Sequence, residues 1–402
     1  MKIKDIVRFH SETTTPIPDV VYHLYSLPSF DNNQTREELL GQDIQSNKFT
    51  VPNRCILFNK LNVRFKRIWR IDSDEDHKIA STEFLPLIID ENKVDFDYCF
   101  YLLASPAITD YLCGQNANTS GSHKRIDPTN FFNIGIKLPP LAQQYEIGKL
   151  LSSLDTKIKL NRQINQNLEA MAKQLYDYWF VQFDFPNEEG KPNKSSGGEM
   201  LWNDKLKRNI PVGWHCGNLF EIAVFTNGLA CQKFRPKDDE MPLPVIKIRE
   251  MHDGISVDTE EVTSNIPESV KVYNGDVLFS WSASLEVMLW AYGLGGLNQH
   301  IFKVTSANDF PKSFYYFQLL DYVNVFKKMA EARKTTMGHI TQDHLQQSTI
   351  AIPDNKDIAD KFEELISPIF KQIVKLQEEI SNLIKQRDEL LPLLMNGQIT
   401  IE

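Results

Sequence analysis

The sequence predicts an α+β protein with two globular domains, related by a pseudo-twofold axis and separated by two long antiparallel coiled-coil helices. Two helical stretches, one central and one at the end of the chain, carry apolar residues at alternating spacings of three and four. The globular segments before each stretch follow one another in the same order. At 402 residues the chain also exceeds what one hydrophobic core usually serves.

The central helix is predicted over residues 140–185, which run without an internal proline from Pro140 to Pro186. Roughly 40 helical residues extend about 60 Å. A polar pair of asparagines interrupts the apolar seam, where it would fix the register of a partner helix. A broader face would instead indicate an amphipathic helix lying on a single core. The predicted seam consists of Ile147, Leu151, Leu154, Ile158, Asn161, Asn165, Leu168 and Leu175.

A second coiled-coil helix is predicted over residues 354–402. One extra four-residue step interrupts its rhythm at Pro368, where we expect a kink or the start of the helix. Its predicted seam consists of Phe362, Leu365, Ile369, Ile373, Leu376, Ile380, Leu383 and Leu390.

The first globular domain is predicted over residues 1–139, and a linker with the second domain over residues 186–353. In the first domain we expect strands at residues 55–58, 63–71 and 84–89, a helix at 96–112, a polar loop, and a last strand at 132–140. The second domain repeats this order, and the offset between Arg125 and His339 equals that between Pro139 and Pro353. Chance similarity between two ordinary α/β domains is the alternative.

Composition excludes several classes of protein. The net charge of −9 and the pI near 5.6 argue against a uniformly basic surface, but they permit a local basic patch because charge can be segregated. Five widely spaced cysteines with no C-x-x-C pair favour free thiols over disulfides or a zinc site. Without a signal peptide or a long apolar run, the protein is expected in the cytoplasm.

Catalytic motifs are absent from the sequence. It contains no phosphate-binding loop, dinucleotide fingerprint, nucleophile elbow or zinc-protease helix. Two short carboxylate and lysine pairs, Glu91 with Lys93 and Asp76 with Lys78, are typical of nuclease sites but also arise by chance. The chain is therefore predicted to bind a partner rather than to catalyse a reaction.

Polyanion binding is better supported. Residues 48–70 hold seven basic and no acidic side chains, interleaved with aromatic residues that include Phe65. On a strand, Arg64, Lys66 and Arg70 would share one face that can hold phosphates, whereas the alternative is a solvated strand face. The candidates in this segment are Lys48, Arg54, Lys60, Arg64, Lys66, Arg67 and Arg70.

Glycine loops with basic and hydroxyl side chains occur at matching positions of both copies. The first copy contributes the candidates Ser122, His123, Lys124 and Arg125. The candidates in the second copy are Trp281, Asn298, Gln299, His300, Lys334, Thr335, Thr336 and His339.

The chain resembles the specificity (S) subunit of type I restriction–modification systems. IKLPPLAQQYEIGKLLSSLDTKIKLNRQINQNLEAMAKQLYDYWFVQF is similar to the central conserved region of that family, and KTTMGHITQDHLQQSTIAIP with the terminal helix is similar to the end of its second half. Gln143-Gln144 replaces the usual Glu-Gln after LPPL, and the second copy lacks a double proline. Both departures affect only the start of a helix.

The resemblance implies a non-catalytic subunit whose two target recognition domains each read one part of a split DNA sequence with a spacer of fixed length. It implies two methyltransferase subunits as partners, and two restriction subunits in the full complex. S-adenosylmethionine, ATP and Mg are then cofactors of those partners, and none is expected on this chain. Two other functions stay open: a coiled-coil scaffold that joins protein-binding domains without DNA, and a nuclease.

Overall fold

The computed structural model describes residues 1–32, 34–115, 124–237, 239–282, 284–332 and 340–401. The chain forms two compact units. Unit 1 comprises Met1–Lys157 and Leu383–Glu402, and unit 2 comprises Ile158–Asn382.

Unit 1 contains two sheets. One has the order β1-β9-β6-β7 and is antiparallel throughout, and the other has the order β2-β5-β8-β3-β4 with β3 and β8 parallel. The central strands β6 and β9 are apolar runs buried on both faces. The strands are β1 (Val7–Phe9), β2 (Thr13–Thr14), β3 (Val21–Tyr25), β4 (Glu37–Leu40), β5 (Lys48–Thr50), β6 (Arg54–Asn59), β7 (Ile68–Asp72), β8 (Lys78–Ala80) and β9 (Phe84–Ile89).

Four short α-helices and one long α-helix are described in the first 176 residues: α1 (Leu27–Asp31), α2 (Phe96–Ala104), α3 (Pro106–Gln115), α4 (Pro128–Phe132) and α5 (Leu141–Tyr176). The single helix predicted over 96–112 is wrong, because Pro106 offers no N–H and forces Ser105 into an extended conformation. The strand predicted over 132–140 is also wrong. There the chain makes one bridge, between Gly135 and Lys2.

Unit 2 contains the remaining strands. Besides the pairs β10–β11 and β12–β21, it has one sheet ordered β13-β20-β17-β18 and another ordered β15-β14-β19-β16. The strands are β10 (Met200–Asn203), β11 (Arg208–Pro211), β12 (Trp214–Gly217), β13 (Ala223–Asn227), β14 (Leu243–Ile246), β15 (Glu261–Val262), β16 (Lys271–Val272), β17 (Val277–Ser280), β18 (Glu286–Leu289), β19 (Gly295–Leu297), β20 (Ile301–Ser306) and β21 (Ile350–Pro353).

The sheets confirm the internal repeat. The order β1-β9-β6-β7 in unit 1 and the order β13-β20-β17-β18 in unit 2 are the same arrangement. In the second sheets, β5-β8-β3-β4 corresponds to β16-β19-β14-β15, and each has its one parallel pair at the same place. Among the described strands of unit 1, only β2 lacks a counterpart in these sheets of unit 2.

The helices of unit 2 include the end of α5, which continues as a π-helical turn at Asp177–Val181. The others are α6 (Leu219–Ile222), α7 (Ile248–Asp253), α8 (Lys312–Ala332), α9 (Gln342–Gln346) and α10 (Asp357–Met395), whose last part belongs to unit 1. Because α10 continues through Pro368 and begins at Asp357, the expectation that it starts at the proline is wrong.

Helices α5 and α10 pack against each other in both units, and in each unit they run in opposite directions. In unit 2, Asn165 Nδ2 donates to the carbonyl of Ile373 at 3.3 Å, and the ring of Tyr176 lies 6.1 Å from that of Phe362. In unit 1, Asp155 pairs with Arg387. The unit 1 core contains Ile147, Leu151, Leu391 and Leu394.

The residues of the predicted seam differ in burial. The assignment of Leu365 to the seam is wrong, because Leu365 is 50% exposed while the neighbouring Ile366 is fully buried. In this part, α10 packs on the aromatic core of unit 2. It buries a broad face that includes Phe362, Ile366 and Phe370, rather than a narrow heptad seam. The half-buried seam residues are Leu154, Leu168, Leu175, Ile369 and Leu390, and the buried ones are Ile147, Leu151, Ile158, Asn161, Asn165, Phe362, Ile373, Leu376, Ile380 and Leu383.

Candidate nucleic-acid interface

Residues 60–67, named here the basic loop, follow strand β6 and are held by its last side chain. Asn59 is buried, and its Nδ2 donates to the carbonyls of Leu61 at 2.6 Å and Phe65 at 3.3 Å. Asn62 adopts a positive φ of 50°, and the N–H of Phe65 donates to its carbonyl. The strand predicted over 63–71 is therefore wrong in its first half, because these turn contacts delay β7 until Ile68.

The second predicted segment lies beside the basic loop. The N–H of Asn62 donates to the carbonyl of Lys124 at 2.8 Å, and the N–H of Ile126 donates to that of Lys60 at 3.0 Å. Leu61 and Arg125 form an antiparallel bridge. Two segments far apart in sequence thus present their side chains together. The candidates Ser122 and His123 lie outside the described residues.

Internal ion pairs occupy four of the candidate arginines. The partners all come from unit 1 and are distant in sequence: Arg54 pairs with Asp72 and Glu91, Arg67 with Asp31, Arg70 with Asp97, and Arg125 with Glu83. Arg125 binds both carboxylate oxygens of Glu83, and these bonds hold the pKa of Glu83 below its usual range. Since the strand face is broken, the prediction that Arg64, Lys66 and Arg70 share it is wrong.

The remaining cations differ in exposure. Lys48 on β5 is half-buried, and its Nζ donates to the hydroxyl of Ser46 at 2.6 Å while burial lowers its pKa. Lys60 and Lys124 are half-buried at the junction of the two segments. Arg64 and Lys66 are exposed, and among the described residues neither forms an ion pair with a carboxylate. These two side chains are the clearest candidates for phosphate contact.

Unit 2 builds the same frame with different side chains. Ser280, at the end of β17, donates through its hydroxyl to the carbonyl of Ser284 at 2.6 Å, as Asn59 does for the basic loop. The N–H of Ile340 donates to the carbonyl of Trp281 at 3.0 Å, which matches the bond from Ile126 to Lys60. Trp281 therefore stands where unit 1 has Lys60.

The candidate His300 of unit 2 lies beside this tryptophan, and the candidates Asn298 and Gln299 contact His300. The rings of Trp281 and His300 have centroids 5.6 Å apart. Asn298 is buried and accepts the N–H of His300 at 3.3 Å, and the side chain of Gln299 contacts His300 Nε2 at 3.3 Å. The candidates Lys334, Thr335, Thr336 and His339 lie outside the described residues.

The role of Asn59 and Ser280 in holding the loops that follow them was not predicted from the sequence, although the sequence contains a signal for this role. ILFN before the basic loop and VLFS before Trp281 both place a small polar residue directly after a buried apolar strand. A buried polar side chain must find a partner, and a tight loop offers free carbonyls. The carboxylates that neutralise the arginines left no comparable signal.

The surface of the basic loop offers exposed cations and the exposed ring of Phe65. Within the described ranges, no group of three or more His, Cys, Asp or Glu is placed to hold a metal ion. No helix in the described part of the chain is long and apolar enough to span a membrane. Fixed positive charges around an exposed aromatic ring suit a polyanion that also carries flat bases.

Fold and loops together define a two-repeat α+β protein with matched loop frames. The model of the type I restriction modification DNA specificity domain matches the chain twice, over residues 1–170 and 211–386. The chain therefore belongs to this family, whose general role is DNA target recognition.

Known relatives agree with this assignment. The MjaIX specificity subunit of Methanocaldococcus jannaschii is 24% identical over 325 residues, covering 78% of this chain and 72% of that protein. The HindI specificity subunit of Haemophilus influenzae is 23% identical over 401 residues, covering 86% of each. The type I restriction-modification S subunit from M. genitalium has a similar fold, with a TM-score of 0.58 at 12% identity over 98% of this chain and 95% of that one.

Proposed function

We propose that this chain is the sequence-specific DNA-binding subunit of a type I restriction–modification complex, and that each repeat reads one part of a bipartite target. The observation that carries the proposal is the repeated loop frame at the ends of β6 and β17. Two copies of one binding frame in one chain suit two half-sites on one DNA molecule.

The connection between the repeats supports a spacer of constant length. Helix α5 has 36 residues and joins the two repeats along the chain without a break. A continuous helix packed against a second helix is stiff, whereas a disordered linker would permit many separations. A target with one allowed spacer follows from such a connection.

The partners we propose are two methyltransferase subunits and, in the full complex, two restriction subunits. Exposed apolar side chains on the unit 2 part of α5, namely Leu160, Ile164 and Met171, support protein docking there because they lie on one side of the helix. We further propose that S-adenosylmethionine, ATP and Mg bind those partners and that this chain holds none of them.

Charge reversal tests DNA recognition by unit 1. Arg64→Glu combined with Lys66→Glu should lower the affinity of the assembled complex for its target at least tenfold. It should also reduce the slope of log affinity against log salt by about two, since two phosphate contacts are lost. Sequencing of methylated bases in cells that carry the variant should show loss of the bipartite motif.

The matched control changes net charge by the same amount elsewhere. Lys191 and Lys194 are exposed in the segment between α5 and β10. Reversal of both should leave the methylated motif and the salt slope unchanged. If the two double variants behave alike, the basic loop does not contact DNA. If deletion of the whole chain leaves the methylation pattern intact, the chain is a scaffold and the proposed function is wrong.

A further inference from the structure

An aromatic ring stands exposed at the tip of the basic loop. The side chain of Phe65 is 49% exposed, although a ring of this size is normally buried. The guanidinium of Arg64 lies 4.8 Å from its centroid, and that of Arg67 lies 5.1 Å from it. The exposed ring is thus flanked by two cations.

The structure holds this ring in place. The carbonyl of Phe65 accepts a hydrogen bond from the buried Asn59, and its N–H donates to Asn62 at 2.9 Å. Arg67 is itself fixed by two hydrogen bonds of 2.7 Å to the carboxylate of Asp31. A backbone secured on both sides and one anchored cation limit the freedom of the ring, so little entropy is lost when it meets a ligand.

Neither ion pairing nor core packing explains the exposure. Arg67 pairs with Asp31 through its own guanidinium, and the apolar core of unit 1 contains Phe58, Val63 and Ile68 but not Phe65. Removing the ring would therefore cost the fold little. An exposed apolar ring lies beside the anchored Arg67 and beside Arg64, which forms no ion pair with a carboxylate among the described residues. This is the arrangement of side chains that enter between DNA bases, where free cations hold the flanking phosphates.

We infer that Phe65 is an apolar wedge that inserts at one base step of double-stranded DNA and partly unstacks it. This inference rests on the proposed function, because it assigns a role to a residue of the same loop. Arg64 and Lys66 then bind the phosphates on either side of the step. Unit 1 would read the deformability of that step in addition to base edges, with flexible pyrimidine–purine steps favoured.

The experiment uses the complex purified through an affinity tag on the full-length chain. The probe is a duplex that carries the motif whose methylation depends on this chain, with 2-aminopurine placed at each position of the unit 1 half-site in turn. Unstacking should raise the fluorescence at one step with the wild-type chain. Phe65→Ala should abolish that signal and weaken binding roughly tenfold, a typical loss for removal of a stacking aromatic.

A damaged probe separates a wedge from a simple contact. An abasic site or mismatch at the responsive step removes most of the unstacking cost, so Phe65→Ala should recover affinity on that duplex. Phe65→Leu should keep most of the binding, because leucine also serves as a wedge. The control Tyr145→Ala removes another exposed ring of unit 1, which lies 5.9 Å from Lys149, and should leave the fluorescence unchanged.

Three results would overturn the wedge. They are the absence of any 2-aminopurine response, an equal loss by Phe65→Ala on intact and abasic duplexes, and unchanged affinity of Phe65→Ala. Failure of the wild-type complex to bind the duplex at all would instead refute the proposed function. The unfolding midpoint of Phe65→Ala should match the wild type, which excludes misfolding as the cause of a loss.

Discussion

Asp155 connects three elements of unit 1, and its removal is the most informative test of the helix pair. Its Oδ1 accepts from Arg387 Nη1 at 2.8 Å on α10, and its Oδ2 accepts from the hydroxyl of Tyr101 at 2.5 Å on α2. Burial and then the charge of Asp155 raise the pKa of Tyr101. The carboxylate thus ties both long helices to the globular part of the unit.

The size of the effect follows from these contacts. Asp155→Ala removes two hydrogen bonds to a charged group, each worth about 1.5–3 kcal/mol. The side chains of Asp155 and Arg387 are 28% and 29% exposed, so water offsets part of the loss. Arg387 also keeps its contacts to Asp388. We expect a destabilisation of roughly 2–4 kcal/mol, less than the full cost of breaking a buried pair.

The assay is thermal unfolding, with hydrogen exchange to assign the loss to unit 1. At about 2–4 °C per kcal/mol for a domain of this size, the midpoint should fall on the order of 5–15 °C. Asp388→Ala is the matched control, because Asp388 contacts the same guanidinium but is 58% exposed, and it should change stability by less than about 0.5 kcal/mol.

A double-mutant cycle isolates the pair. Arg387→Met alone should destabilise unit 1, and its effect should shrink in the Asp155→Ala background because the interaction is already lost. Equal destabilisation by Asp155→Ala and Asp388→Ala would refute the network, as would strictly additive effects in the cycle.

Two further predictions concern burial and pH. Leu383→Asp should lower the free energy of unfolding by about 3–5 kcal/mol, because it buries an uncompensated charge, and the unfolding midpoint should fall with it. Leu365→Asp, at an exposed position of the same helix, should change both little. Equal effects of the two substitutions would contradict the assigned faces. His215 lies 2.5 Å from Asp354 and 3.3 Å from Glu221, and although burial opposes its charged form, these bonds raise its pKa above 6.5. Its stabilising effect should therefore be complete below pH 6.5 and disappear as the pH rises through the folded-state pKa, and His215→Gln should abolish this dependence in pH-resolved unfolding curves.

Much of the fold could be predicted from the sequence, because repeats and apolar periodicity can be recognised without knowing any tertiary contact. The buried runs at β6 and β9 and their counterparts β17 and β20 predicted the central strands of both repeats. Where a tertiary contact overrides local pattern, the prediction failed. Residues 63–67 alternate like a strand, yet the amide of Asn59 folds them into a loop.

The candidate site was less predictable, because charge in a sequence does not reveal its partner. Arg67 and Arg125 look like their exposed neighbours, but each is paired with a carboxylate about 40 residues away in the chain. The arginines of a segment that contains no acidic residues can therefore still be paired with carboxylates from other parts of the chain. The same structure brings Lys60 and Lys124 together through backbone hydrogen bonds, which no local pattern encodes.

The frames of the two repeats are alike, whereas the groups they present are not. Lys60 and Trp281 occupy one position. The carbonyl of each accepts from an isoleucine N–H, and its own N–H donates to the carbonyl of the residue that precedes the neighbouring strand, Glu83 before β9 in unit 1 and His300 before β20 in unit 2. A cation with a carboxylate neighbour and an indole with an imidazole neighbour offer different contacts to a base pair. For the bipartite target proposed above, identical side chains on both frames would select two parts of the same sequence. Unequal side chains on equal frames instead favour two parts that differ in sequence.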